Sequence, residues 1–219
     1  MDRPAASTAS PPTAPPPTAW TGAAPLLLAS TSPTRRALLA GAALPVETAA
    51  PEVDERALEA DCAGLAAPEL ARRLAEAKAG SVAARHPGRI VVGADQVLEC
   101  AGTIFHKPAA AAEARAQIAR LAGRTHALHA AVAIAEGGCV AESFVETAHL
   151  TLRPLDAAQI AAYVDLAGEA RVTGSVGGYQ LEGLGIHLFA AVAGDHATIL
   201  GLPLLPLLAR LRARGLLAF

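Results

Sequence analysis

Between residues 26 and 39 the chain changes character abruptly. Leu26-Leu27-Leu28-Ala29 is apolar at every position, and Ser30-Thr31-Ser32-Pro33 leads straight into an apolar helical pattern running through Leu38 and Leu39 to Gly41. A short run that is apolar throughout suits a buried strand. Ser32 suits a helix N-cap and Pro33 the first helical position. A strand feeding directly into a helix aims the helix's free N–H groups beyond the strand end, a geometry that favours anions.

Alternation of this kind continues along the chain. A helix is predicted from about Pro68 to Arg85, and Ile90-Val91-Val92-Gly93-Ala94 is a buried strand that delivers Asp95 at its end. A helix over about 110–121 stops at Gly123, and long strands over 125–135 and 140–152 are joined at Glu136-Gly137-Gly138. Asp156 caps a helix ending at Gly168, residues 174–185 form a glycine-rich loop, and a strand over 186–193 precedes a closing helix over 203–214. Strands alternating with helices predict an α/β fold, and the two adjacent long strands make the sheet mixed rather than purely parallel. The expectation is one domain, residues 25–219, with a twisted central sheet flanked by helices and a ligand cleft at the strand C-terminal ends.

Residues 1–24 are rich in Pro, Ala, Thr and Ser and lack the apolar core of a secretory signal. Such a segment cannot bury enough surface to offset its ordering entropy, so a disordered tail is expected, dispensable through residue 22. The formal charge of −2 provides no basic field for long nucleic acid. Three widely spaced cysteines without a CxxC pair fit neither a disulfide framework nor a zinc knuckle. No apolar run is long enough to span a bilayer. The expectations are a cytoplasmic protein with a small-molecule ligand, no long nucleic acid, no membrane, and room for a homodimer.

Several polar residues stand out. Asp95 is either a strand-end turn residue or a ligand-site carboxylate. Glu52, Asp54 and Glu55 form either a solvated loop or, with Asp95, an oxygen site for a hard cation. Arg35 and Arg36 sit in a helix first turn, where positive charge opposes the dipole unless a phosphate is bound. Lys78 shares a stripe with Leu70, Leu74 and Val82, so it either snorkels outward or points into a cleft. Lys107 lies between a strand and a helix. No P-loop is present, Gly183-Leu184-Gly185 opens no helix, and His126 and His129 fall on opposite strand faces, so they cannot share a metal. The residues alone lead to a phosphate-binding α/β domain and do not name a reaction.

The run from Leu28 to Leu39 resembles the opening motif of the Maf-like nucleoside triphosphate pyrophosphatases. Ala50-Pro51-Glu52-Val53-Asp54-Glu55, Leu74-Ala75-Glu76-Ala77-Lys78, Gly93-Ala94-Asp95-Gln96-Val97, Lys107-Pro108, Glu182-Gly183-Leu184-Gly185 and Leu200-Gly201-Leu202-Pro203-Leu204 follow in the family's order. The resemblance implies hydrolysis between the α- and β-phosphates with Mg²⁺ or Mn²⁺. It implies Asp95 as catalytic base, Ser30, Arg35, Lys78 and Lys107 as phosphate-binding residues, and Glu55 with Asp95 as metal ligands. Thr34, Gln96 and Glu182 match positions where branches of the family differ. Gln96 and Glu182 resemble the branch acting on 7-methyl-GTP, whereas the dTTP/UTP branch would carry Thr and Gln there. Thr34 departs from the aromatic of some members, and His106 from the usual Gly or Glu. Alternative readings are a dTTP/UTP or other non-standard nucleotide pyrophosphatase, and a nucleotide-binding regulator of cell division with little turnover.

Overall fold

A computed structural model describes residues 18–219. In chain order the elements are β1 (Leu26–Ala29), α1 (Pro33–Gly41), β2 (Val46–Thr48), α2 (Glu55–Asp61), α3 (Ala67–Arg85), β3 (Val91–Cys100), β4 (Thr103–Phe105), α4 (Ala111–Leu121), β5 (Thr125–Glu136), β6 (Cys139–Leu152), α5 (Ala157–Ala167), α6 (Glu169–Val172), β7 (Phe189–Ala193), α7 (His196–Ile199) and α8 (Leu204–Ala213). Seven strands form one mixed sheet in the order β2-β1-β3-β5-β6-β7, with β4 also on β3. β1 runs parallel to β2 and β3, and β3, β5, β6 and β7 pair antiparallel in turn. The α/β fold with a mixed sheet is thus as expected. Among the described residues no helix is long and apolar enough to cross a membrane.

Alternation along β3 sorts its side chains between two helical layers. Val91 and Val97, with Ala131 and Ala133 of β5, pack against Leu70, Leu74 and Val82 of α3. On the other face Val92 and Ala94 meet Leu39 of α1 and Leu207 and Leu211 of α8. Leu98 and Leu128 continue that face against Ile118 of α4 and Ile160 of α5. Burial on both faces explains why β5 reads as an unbroken apolar run from Ala130 to Ala135. The α3 layer sits unusually close to the sheet. A Cβ at Gly93 would lie 2.5 Å from the Ala75 carbonyl oxygen and 2.6 Å from the Ala79 nitrogen, so only glycine lets helix and strand backbones meet there.

One edge of β3 is interrupted. β5 covers its other edge from Val91 to Glu99, whereas β1 pairs only with Val91–Gly93 and β4 only with Leu98–Cys100. Residues 94–97 therefore border a notch between β1 and β4.

Three expectations need correction. β3 does not stop at Ala94: antiparallel pairing with β5 carries it past Asp95 to Cys100, and the strand that ends at the cleft is β1. Residues 184–188 form a 3₁₀ turn, and β7 starts only at Phe189, where pairing with Leu152 begins. Residues 1–17 of the expected tail lie outside the described residues, but residues 18–24 are built into the domain. Trp20 is buried at 8% exposure, bridges antiparallel to Leu217, and donates from Nε1 to the Ala24 carbonyl at 2.7 Å.

Candidate active site

Ser30, Thr34, Arg35, Glu55, Lys78, Asp95, Gln96, Lys107 and Glu182 all line one cleft of about 620 Å³ above the notch. Residues as far apart in sequence as Ser30 and Glu182 are thus gathered in one place. α1 enters it as expected: Ser32 caps the helix by accepting from the Arg35 backbone N–H at 3.3 Å, and Pro33 occupies the first turn.

Lys78 resolves its alternatives by pointing inward. Its residue exposure is 7%, and Nζ lies 2.5 Å from Asp95 Oδ1 and 3.0 Å from Glu55 Oε1. The close approach at Gly93 brings α3 near enough for this contact. Glu55 opens α2, whose N-cap is Asp54. Asp54 is therefore a helix cap, and Glu52 pairs with Arg85, so the acidic run sends only Glu55 to the cleft.

Arg35 spans the notch. Nη1 donates to the Ala94 carbonyl at 2.9 Å, on the β3 edge that no strand covers, and Nε donates to the Gly201 carbonyl at 2.8 Å. Burial pushes its guanidinium below the usual arginine range, while Asp95 and Glu55 pull it back. Arginine starts so high that it keeps its charge. Ser30 is buried; its Oγ accepts from the Ser32 N–H at 3.1 Å and from Arg35 at 3.4 Å. Gln96 points to the opposite sheet face from Asp95 and donates to the carbonyls of Thr198 and Ile199. Both still border the cleft because the notch opens the sheet from face to face. Lys107 and Glu182 are exposed on the rim, and Thr34 is half-buried. Arg36 does not line the cleft.

Sequence reasoning missed Glu59, which lines the cleft one helical turn after Glu55 and lies 3.7 Å from His106 Nδ1. Its signal was the i, i+4 spacing on a helix too short to announce itself. The two strand histidines stay apart as expected. His126 Nε2 meets the Tyr179 hydroxyl at 2.6 Å and His129 Nδ1 the Thr147 hydroxyl at 2.9 Å. Burial pushes the His126 pKa down to about 4 and raises that of Tyr179.

Two carboxylates converging on one ammonium show that their oxygens are spaced to share a cation. Among the described residues there is no group of three or more His, Cys, Asp or Glu that could hold a metal. A hard divalent ion such as Mg²⁺ fits such a partial set, since it keeps waters and takes ligand phosphate oxygens beside one or two carboxylates.

A family profile described as "Maf-like protein" matches residues 25–214. A nucleoside triphosphate pyrophosphatase of Nitrobacter winogradskyi is 53% identical over 91% of this chain and 98% of its own length. One from Rhodopseudomonas palustris strain HaA2 is 52% identical over 92% of this chain and all of its own length. A 7-methyl-GTP pyrophosphatase of Brucella abortus is 47% identical over 85% of this chain and 94% of its own. Matched along nearly its whole described length and half identical to full-length relatives, this chain belongs to the Maf-like family.

Proposed function

We propose that the chain hydrolyses a nucleoside triphosphate between its α- and β-phosphates, releasing the nucleoside monophosphate and pyrophosphate, with 7-methyl-GTP as substrate. The observation that carries the reaction is the Lys78 ammonium held between Asp95 and Glu55 in the cleft beside the α1 N-terminus. Phosphoryl transfer demands charge neutralisation and in-line placement more than covalent catalysis. Arg35, Lys78, Lys107 and the first N–H groups of α1 supply positive potential for the triphosphate. Asp95 orients the attacking water and takes its proton, while the α–β bridging oxygen leaves with pyrophosphate. Ser30 holds Arg35 in place. Glu55 and Asp95 would hold Mg²⁺ or Mn²⁺, which when bound offsets phosphate charge.

The finer substrate is supported by the Brucella abortus relative's name and by Glu182 on the cleft rim. Guanine offers adjacent N1–H and 2-amino donors, and a carboxylate accepts both in a bidentate pair. Methylation at N7 makes the ring cationic and strengthens that pairing. Uracil and thymine would set carbonyl oxygens against the carboxylate.

Pyrophosphate release from 7-methyl-GTP, GTP, UTP and dTTP with Mg²⁺ or Mn²⁺ tests both levels. Asp95→Asn should lower turnover by about 10²–10⁴-fold with the fold intact, the contribution of a general base. A hydrogen bond to a charged group contributes about 1.5–3 kcal/mol, so Glu182→Gln should cost on the order of 10- to 150-fold in preference for 7-methyl-GTP over UTP. An unchanged ratio would make Glu182 a scaffold residue. No turnover on any triphosphate, with nucleotide still bound, would favour the regulator reading.

A further inference from the structure

We propose that Gln96 is a positioning residue: its amide fixes the turn between α7 and α8 against β3, so that the cleft wall at Ile199–Leu200 and the guanidinium of Arg35 are set as one unit. The proposal rests on reading the cleft as a nucleotide site, and it gives residue 96 a role distinct from direct contact with the base.

Gln96 Nε2 donates to the Thr198 carbonyl at 3.1 Å and to the Ile199 carbonyl at 3.0 Å. Both partners are acceptors, so the NH₂ must face α7 and both of its N–H bonds are spent there. With both N–H bonds spent on α7, the side chain has only the acceptor Oε1 left to offer a base. α7 is a single turn of four residues, too short to hold its shape by its own hydrogen bonds. Of its last carbonyls, that of Thr198 accepts from the Gly201 N–H at 3.0 Å and takes a second donor from Gln96, which also supplies a donor to the Ile199 carbonyl; at the other end the Asp195 side chain caps the Thr198 N–H at 3.0 Å.

Arg35 grips the same turn one step further along, at the Gly201 carbonyl. Gly201 has φ +88°, and a Cβ there would stand 3.3 Å from Arg35 Nη2 and 3.6 Å from Gln96 Oε1. The two side chains thus flank one glycine. Ile199 and Leu200 line the cleft from this turn, and Leu202 just beyond it is fully buried. Displacing the turn at Gln96 therefore moves a wall of the cleft and loosens a cation meant for phosphate.

The test measures amide hydrogen exchange over residues 198–202 in the ligand-free, full-length protein, together with calorimetric binding of magnesium pyrophosphate. The Leu200, Gly201 and Leu202 amides donate to the His196, Thr198 and Ala197 carbonyls, and so report on the turn directly. Gln96→Glu sets a carboxylate against two carbonyls; Gln96→Met removes the donors without adding charge and serves if the first variant fails to fold. Losing two hydrogen bonds should speed exchange there by roughly tenfold in either variant, with pyrophosphate bound several-fold more weakly. Unchanged exchange over 198–202 would overturn the proposal, whatever happens to activity. Exchange requires no turnover, so failure of the pyrophosphatase reading would leave this result standing.

Discussion

Replacing Lys78 with methionine separates two physical readings of α3. A methionine at this position would complete the apolar stripe of Leu70, Leu74 and Val82, which on helix amphipathicity alone stabilises the protein. The ion pair predicts the opposite. At 2.5 Å and an effective dielectric near 20, the gross attraction between Lys78 and Asp95 is about 7 kcal/mol, against which both desolvation costs must be set. Removing one partner of a buried pair commonly costs about 3–5 kcal/mol, because the other charge is left uncompensated. The cleft admits water to this pair, so the lower end, about 3 kcal/mol, is expected for Lys78→Met, a drop of about 6–12 °C in Tm for a domain of this size. Glu55, left facing Asp95 without the ammonium, adds to the penalty. Asp95→Asn in the Lys78→Met background should recover about 2 kcal/mol, since a neutral amide tolerates the site. The assay is urea unfolding at pH 7.5 without divalent cations, run on wild type, both single variants and the double variant. A Lys78→Met protein at least as stable as wild type, with additive single effects, would refute the claim that the ammonium compensates buried charge.

Trp20→Ala should cost about 3 kcal/mol, the lower end for truncating a buried tryptophan, and lower the Tm measurably by scanning calorimetry; a neutral result would return residues 18–24 to the tail. Gly93→Ala should lower both Tm and kcat, since a methyl group 2.5 Å from the Ala75 carbonyl must push α3, and Lys78 with it, away from Asp95; the two losses should appear together in melting and turnover assays. His126 carries a folded-state pKa of about 4, against about 6.5 in an unfolded chain. Between those values the unfolded state binds the extra proton, so stability is complete above about pH 6.5 and falls by about 3 kcal/mol toward pH 4. Denaturant midpoints measured across that window should flatten in His126→Phe.

The reach of sequence reasoning followed element length and period. The helix at residues 67–85 and the paired strands flanking Gly137 are long, strongly patterned and ended by clear signals, and they appear as expected. α2, β4, α6 and α7, at three to seven residues, are too short to show a period, which is why Glu59 and the Thr198–Ile199 carbonyls went unseen. Lys78 was visible as a conflict, a charge on an apolar stripe, but its direction depended on the β3 contact at Gly93, which only the tertiary structure supplies. Trp20 was lost inside a Pro-rich composition whose average hid one well-packed side chain. Ser30 to Glu182 came from ordered motifs, and the structure collects them in one cleft; their individual roles are matters for the experiments above.

The interruption in the β3 edge has a consequence for how this protein can diverge. In an unbroken sheet, neighbours such as Asp95 and Gln96 serve separate compartments, because successive side chains leave by opposite faces. Here the shortness of β1, four residues ending at Ala29, leaves an opening through the sheet by which both faces drain into one space. The length of that opening along β3 is set by where β1 and β4 stop. Further pairing after Ala29 would narrow the passage, starting at the Ala94 carbonyl that Arg35 now holds, and a shorter β4 would widen it. Ligand size in such a chain is therefore open to adjustment by changes in strand length, a route that substitution scans of the polar residues would never sample.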